Sequence, residues 1–155
     1  MKMTMSLNYS VGYMIITGFL AQYFIMSNVM TYDVANITNS LSKIYISLVM
    51  AFIMGILEVL MHDMHSKTVS FNFYILLFLC FGASLWLYRK QIAVNEINYL
   101  KEMTEHHDMA LFTSKNLLKK PNISPEVREF AKKIVNTQTK EIDEMKQLIQ
   151  QRNAN

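Results

Sequence analysis

A chain of 155 residues, 52% apolar and 17% charged, holds one domain, or a small domain beside membrane spans. Its charges are segregated: thirty consecutive residues between Lys2 and Asp33, and twenty-one between Lys67 and Arg89, carry none, while nine of the twelve acids sit from residue 89 onward. This excludes an ordinary soluble globule and a disordered chain, and the modest net charge of +3, with acids and bases alternating in the tail, argues against nucleic acid as a partner.

At residues 1–5, Met1, Met3 and Met5 alternate with Lys2 and Thr4, a spacing that suits Cu(I) in a flexible segment. The run from Val11 to Met30 is long enough to cross a bilayer, which takes about 20 apolar residues. No small-residue cleavage site follows it, so it reads as an uncleaved span, placed at residues 8–30. A second span is expected over residues 44–62 and a third over 70–90, where Trp86 and Tyr88 beside Arg89 and Lys90 have the composition of an interfacial anchor. Three spans put residues 31–43 and the tail on one side of the bilayer. Lys43, Arg89 and Lys90 there, against Lys2 and Lys67 on the other side, lean towards a cytoplasmic tail.

The tail, residues 91–155, is amphipathic. At the helical period Leu100, Met103, His107, Ala110, Leu111, Ser114 and Leu118 share a stripe, and Lys101, Glu105, Asp108 and Lys115 fall away from it. Lys119, Lys120 and Pro121 stop that helix, and Ser124-Pro125-Glu126 starts another. The second stripe runs through Val127, Phe130, Ala131, Ile134, Gln138, Glu141 or Ile142, Met145 and Leu148, with fraying from Gln150. A short turn makes the pair an antiparallel hairpin. Counting outward from the turn sets Met103 against Met145, and His107 against Gln138 and Glu141. Two helices cannot enclose a core alone, so the hairpin is expected to dimerise into a four-helix bundle or to lie on a partner.

Three clusters could carry chemistry. In the hairpin these are Met103, His106, His107 and Met145, with Gln138 and Glu141 opposite. Thioether and imidazole together suit copper, Cu(I) above all. The competing reading makes His107, Gln138 and Glu141 a polar layer that fixes helix register, with the two methionines filling the core. A possible second site follows the second span: Met50, Met54, Glu58, Met61 and His65 lie on one helical face, flanked by His62 and Met64. There too the alternative is interfacial polar residues and packed methionine. The N-terminal methionines are the third. No nucleophile triad, phosphate loop or zinc-protease spacing is present, so nothing favours an enzyme.

The stretch from Tyr99 to Ala110, with Met103 three residues before the His106-His107 pair and Met109-Ala110 after it, resembles the signature of the domain-of-unknown-function 305 family. Ala131 to Ile134, then Gln138, Glu141-Ile142 and Met145, resembles its second half. The likeness covers about a third of the chain. It implies a ferritin-like helical fold, and the preceding spans resemble the membrane-anchored bacterial branch. Some members are linked to copper outside the cytoplasm, which implies soft-metal roles for Met103, His106, His107 and Met145. It also points the tail out of the cytoplasm, against the charge count. Where the family usually has Pro this chain has Glu105, which allows an unbroken helix through His106. Many members carry a duplicated hairpin and this chain carries one, which again implies a dimer.

The sequence therefore sets up an all-α protein with three transmembrane helices and a C-terminal two-helix hairpin, completed as a ferritin-like bundle by homodimerisation. The expected function is non-catalytic copper binding at a bacterial inner or plasma membrane, for sequestration or handover. The rivals are a helical dimerisation or interaction module, and a small subunit of a membrane transporter or sensor.

Overall fold

The computed structural model describes residues 6–154, so the methionines at 1–5 lie outside the described residues. The described chain is all-helical, and it divides into two compact units. One takes the residues up to Met26 together with Ser42–Ile92, the other Ser27–Leu41 together with the chain from Ala93 onward.

The first unit contains α1 (Leu7–Leu20), α2 (Leu41–Ser66) and α3 (Phe71–Lys90). Six residues of wider, π-type winding, Ala21–Met26, extend α1. All three helices are long and apolar enough to cross a membrane, α1 being counted through Met26. Their shared core is Val11, Val59 and Leu77, with Ile15, Phe52 and Ile56 packed against it. Two glycines let the helices close up: a Cβ at Gly18 would meet Met54 Cγ at 2.9 Å, and one at Gly55 would meet Ile15 Cγ1 at 2.9 Å. Small residues at such contacts bring helix backbones together in apolar surroundings.

α1's extension ends at Met26 rather than at Met30, where Ser27 and Asn28 open a turn. α2 instead runs on past residue 62, because Asp63 organises the connection to α3. Its carboxylate accepts from the Ser70 amide at 2.7 Å and the Ser70 hydroxyl at 2.8 Å. Asp63 thus supplies the helix-start acceptor that Ser70's own side chain does not. α3 closes on Gln91 in the left-handed region, φ 50°. Tyr45 Oη then donates to the Ile92 carbonyl at 2.9 Å.

In the second unit α4 (Glu96–Leu118) and α5 (Pro125–Asn153) form the hairpin. Asn95 caps α4 by accepting from the Asn98 amide at 2.9 Å, and Ser124 caps α5 by accepting from the Val127 amide at 3.3 Å. α4 passes unbroken through Glu105, as the absence of proline there allows. The core is Leu111, Ile142 and Met145, with Leu100, Met103 and Val135 against it. Ala131 is buried from the expected stripe, but Val127, Phe130 and Leu148 are exposed. α5 continues past Gln150, the expected start of fraying, to Asn153. Arg152 Nη2 lies 2.8 Å from Glu96 Oε2, tying the end of α5 to the start of α4.

The third wall of this unit is the segment Ser27–Leu41, a strap holding one short 3₁₀ turn, Val34–Asn36. It covers the face of α4 that carries Glu105 and Asp108, which the helical period assigns to solvent. Both are buried. A charge can stay buried only if its hydrogen-bonding capacity is met, and here strap donors meet it.

Candidate metal centre in the helical hairpin

His107 projects from α4 and Glu141 from α5 at the same height, with Nδ1 3.0 Å from Oε2. The distance is that of an ion pair. Nδ1 is buried, and the Glu141 carboxylate is the polar group that stands against it. The carboxylate end is the open side: 42% of the Glu141 side chain is exposed, against 19% for His107. Met103 and Met145 belong to the apolar layer of the same hairpin. The Thr104 hydroxyl, committed to the Leu100 carbonyl at 2.8 Å, also stands 4.0 Å from the Met145 sulfur. Gln138 is half-buried on α5, three residues before Glu141, and His106 is exposed. The structure thus brings His107 to Glu141 and Met103 to the layer of Met145, and leaves His106 at the surface.

The donors available within the hairpin are an imidazole nitrogen, a carboxylate and thioethers. That set suits a soft or borderline ion rather than a hard one. Among the described residues no three His, Cys, Asp or Glu side chains gather as a metal-binding group, so a site here would draw on methionine sulfur.

The second sequence cluster is spread along α2. Met54 lies against Gly18 of α1, while Met61, Met64 and His65 are exposed. Glu58 is half-buried. His62 stands 3.3 Å from Asp63 Oδ1, the turn-organising carboxylate that no spacing argument singled out.

The strap is the feature that sequence reasoning missed. Asp108, fully buried, accepts from the backbone amides of Tyr32 and Asp33 and, at 2.6 Å, from Asn36 Nδ2. Glu105 accepts from the Thr38 amide. The Thr38 hydroxyl donates to the Lys101 carbonyl at 2.9 Å, and the Leu41 amide to Asn98 Oδ1 at 3.1 Å. Lys115 Nζ stands 3.7 Å from the centre of the Tyr32 ring, a cation–π contact. The one available signal was a pair of acids three apart on the face turned from α5, with a polar 36–42 segment expected on the same side of the bilayer.

Three helices long and apolar enough to cross a membrane, together with a charged helical hairpin, define the class: an all-helical protein with candidate membrane spans and a polar C-terminal unit. Residues 91–155 match the family described as "Domain of unknown function (DUF305)". No curated protein and no solved structure matches the chain.

Proposed function

We propose that the chain is a membrane-anchored soft-metal protein that binds copper, Cu(I) in particular, for sequestration or handover and without catalysis. The observation that carries this reading is the meeting of the buried His107 Nδ1 with the half-exposed Glu141 at 3.0 Å, in the hairpin whose core holds Met103 and Met145. His107 and Glu141 would hold the ion with Met103 and Met145 as soft donors. Gln138 and the exposed His106 are reserve donors at the same end of the hairpin. Bound there, copper would supply redox and ligand-exchange chemistry. The chain's part is to hold imidazole, carboxylate and thioether on two helices fixed by caps at both starts.

The test is a Cu(I) titration of the full chain in detergent micelles against a competing chelator. His107→Ala is expected to weaken binding by tenfold or more with helix content unchanged; equal affinity would overturn the assignment. The exposed Val127 and Phe130 on α5 favour the rival, a hairpin that mainly associates with a second copy. Light scattering on the same samples separates the two. A dimer that is indifferent to Cu(I) and lost in His107→Ala supports the rival, whereas a dimer kept in that variant, with binding weakened, supports the metal reading.

The same reading puts the hairpin outside the cytoplasm of a bacterial inner or plasma membrane. Asn122, exposed in the α4–α5 turn, provides the check. With Asn122→Cys in a Cys80→Ala background, an impermeant maleimide is expected to label intact cells. Labelling only after lysis would turn the hairpin inward.

A further inference from the structure

The apolar unit contains a cleft of about 230 Å³ between α1's extension and α2, and three of its lining residues are methionines: Met26, Met50 and Met54. We infer that these three thioethers form a Cu(I) site of their own, separate from the hairpin. The inference rests on the soft-metal reading of the chain but not on the hairpin donors.

The lining chemistry selects the ion. No carboxylate, imidazole or thiol lines the cleft, so a hard divalent cation finds no charge there, and the oxygens at hand are the neutral ones of Thr17 and Gln22. The Thr17 hydroxyl, at its edge, is committed to the Tyr13 carbonyl at 2.8 Å. Three of the seven lining residues offer neutral sulfur, against one side-chain amide, that of Gln22. Thioether selects soft Cu(I), and a monovalent ion is the charge such apolar surroundings tolerate best.

The backbone is wound to bring the third sulfur in. Met50 and Met54, four apart, share a face of α2. On α1, an unbroken α-helix carrying Gly18 and Gln22 on the cleft face would next present Ile25, seven residues after Gly18. The segment Ala21–Met26 is instead π-wound, and an i→i+5 turn takes in one residue more than an i→i+4 turn. That extra residue moves Met26 into the place Ile25 would hold, and Met26 rather than Ile25 lines the cleft. Gly18 completes the arrangement. A Cβ there would come within 3.0 Å of Met54 Cβ, so the bare position is what lets Met54 lie along α1.

Gap-filling is the ordinary use of methionine in a core. Here the three side chains border a space instead of closing it. A dry cavity of about 150 Å³ already admits a small apolar ligand. A lipid or detergent chain is therefore the competing occupant, and the experiment has to tell it from an ion.

The full chain in detergent micelles is titrated with Cu(I) under a competing chelator, and bound equivalents are read together with X-ray absorption at the copper edge. In wild type, two equivalents per chain are expected, one at the hairpin and one in the cleft, and His107→Ala is expected to isolate the cleft equivalent with its sulfur-dominated coordination. The triple variant Met26→Leu, Met50→Leu, Met54→Leu is expected to lose that equivalent and its sulfur signature. Met-to-Leu exchange conserves volume and is well tolerated in packed apolar sites, and helix content checks the fold. The single variant Met50→Leu should weaken this site at least tenfold, which keeps the test alive if the triple variant misfolds. His107→Ala should leave the sulfur-dominated equivalent in place. Wild-type stoichiometry and spectrum in the triple variant would overturn the inference and leave an apolar cleft for lipid. If binding disappears in His107→Ala and persists in the triple variant, the inference falls and the hairpin site stands. The reverse pattern keeps this site and removes the hairpin one.

Discussion

Replacing Asp108 with alanine is expected to release the strap from the hairpin, because the buried carboxylate its donors share is lost. Three donors converge on that one carboxylate: the amides of Tyr32 and Asp33, and Asn36 Nδ2. Truncation leaves them buried and unpaired, each at about 1–3 kcal/mol, so the strap gains by returning to water. Local opening of this kind is read by amide hydrogen exchange. At 1.4 kcal/mol per factor of ten, the amides of Tyr32 and Asp33 should exchange about two to three powers of ten faster. The Thr38 amide, held by Glu105, should follow. Helix exchange in α4 and α5 should change far less, because Leu111, Ile142 and Met145 pack without the strap's help. Asp108→Asn keeps the shape but turns an NH₂ group towards N–H donors, and should move the same way by less. Glu144→Ala, at an exposed position, is the control. Unchanged exchange at residues 32 and 33 would mean that Asp108 does not hold the strap.

That result would also account for what the sequence conceals. The hairpin was legible because its signals are local. Asn95 and Ser124 as caps, Pro125 at a helix start and Pro121 after a helix end fix the two helices, and the short turn fixes their register. Register in turn brings His107 to Glu141, a contact that counting from the turn anticipates. The strap has no such grammar. It carries no hydrophobic period, and its donors are mostly backbone amides, identical in every residue. Asp108 and Glu105 look like a solvated face because nothing within α4 satisfies them; their partners lie some 70 residues earlier in the chain. The π winding of Ala21–Met26 is concealed for another reason. One added residue per turn changes phase without changing composition, so Ile25 and Met26 cannot be ranked for the cleft from the apolar run alone. Val127 and Phe130 mark the converse limit. Periodicity names the stripe on α5 but not where α4 ceases to cover it, and the hairpin's turn end leaves both exposed.

Gly55→Leu should be the most damaging substitution in the apolar unit. Gly55 sits on α2 where α1 and α3 both press: an added Cβ alone meets Ile15 Cγ1 at 2.9 Å, Ile15 Cδ1 at 3.3 Å and Leu77 Cδ2 at 3.3 Å. A leucine extends three carbons beyond that point. Overpacking of a closed site costs about 1–3 kcal/mol where neighbours can shift, and more where they cannot. Here the neighbours are the core itself, because Leu77 is one of its three buried members and Ile15 packs against them. Helix propensity works the other way, favouring leucine over glycine by somewhat under about 1 kcal/mol, so steric conflict has to exceed that gain. Gly82 separates the two terms. A Cβ there meets nothing within 4 Å, so Gly82→Leu should be neutral or mildly stabilising on propensity alone. Gly55→Ala is intermediate: its single carbon asks Ile15 to give way by a few tenths of an ångström, and the propensity gain offsets much of that cost. Thermal unfolding of the full chain in detergent, followed by helix signal, should therefore rank Gly55→Leu well below wild type, with Gly55→Ala near it and Gly82→Leu level with it or above. Equal behaviour of the two leucine variants would mean that α1 and α3 do not close on α2 at Gly55. The Met26–Met50–Met54 cleft between α1's extension and α2 would then lose the wall that defines it.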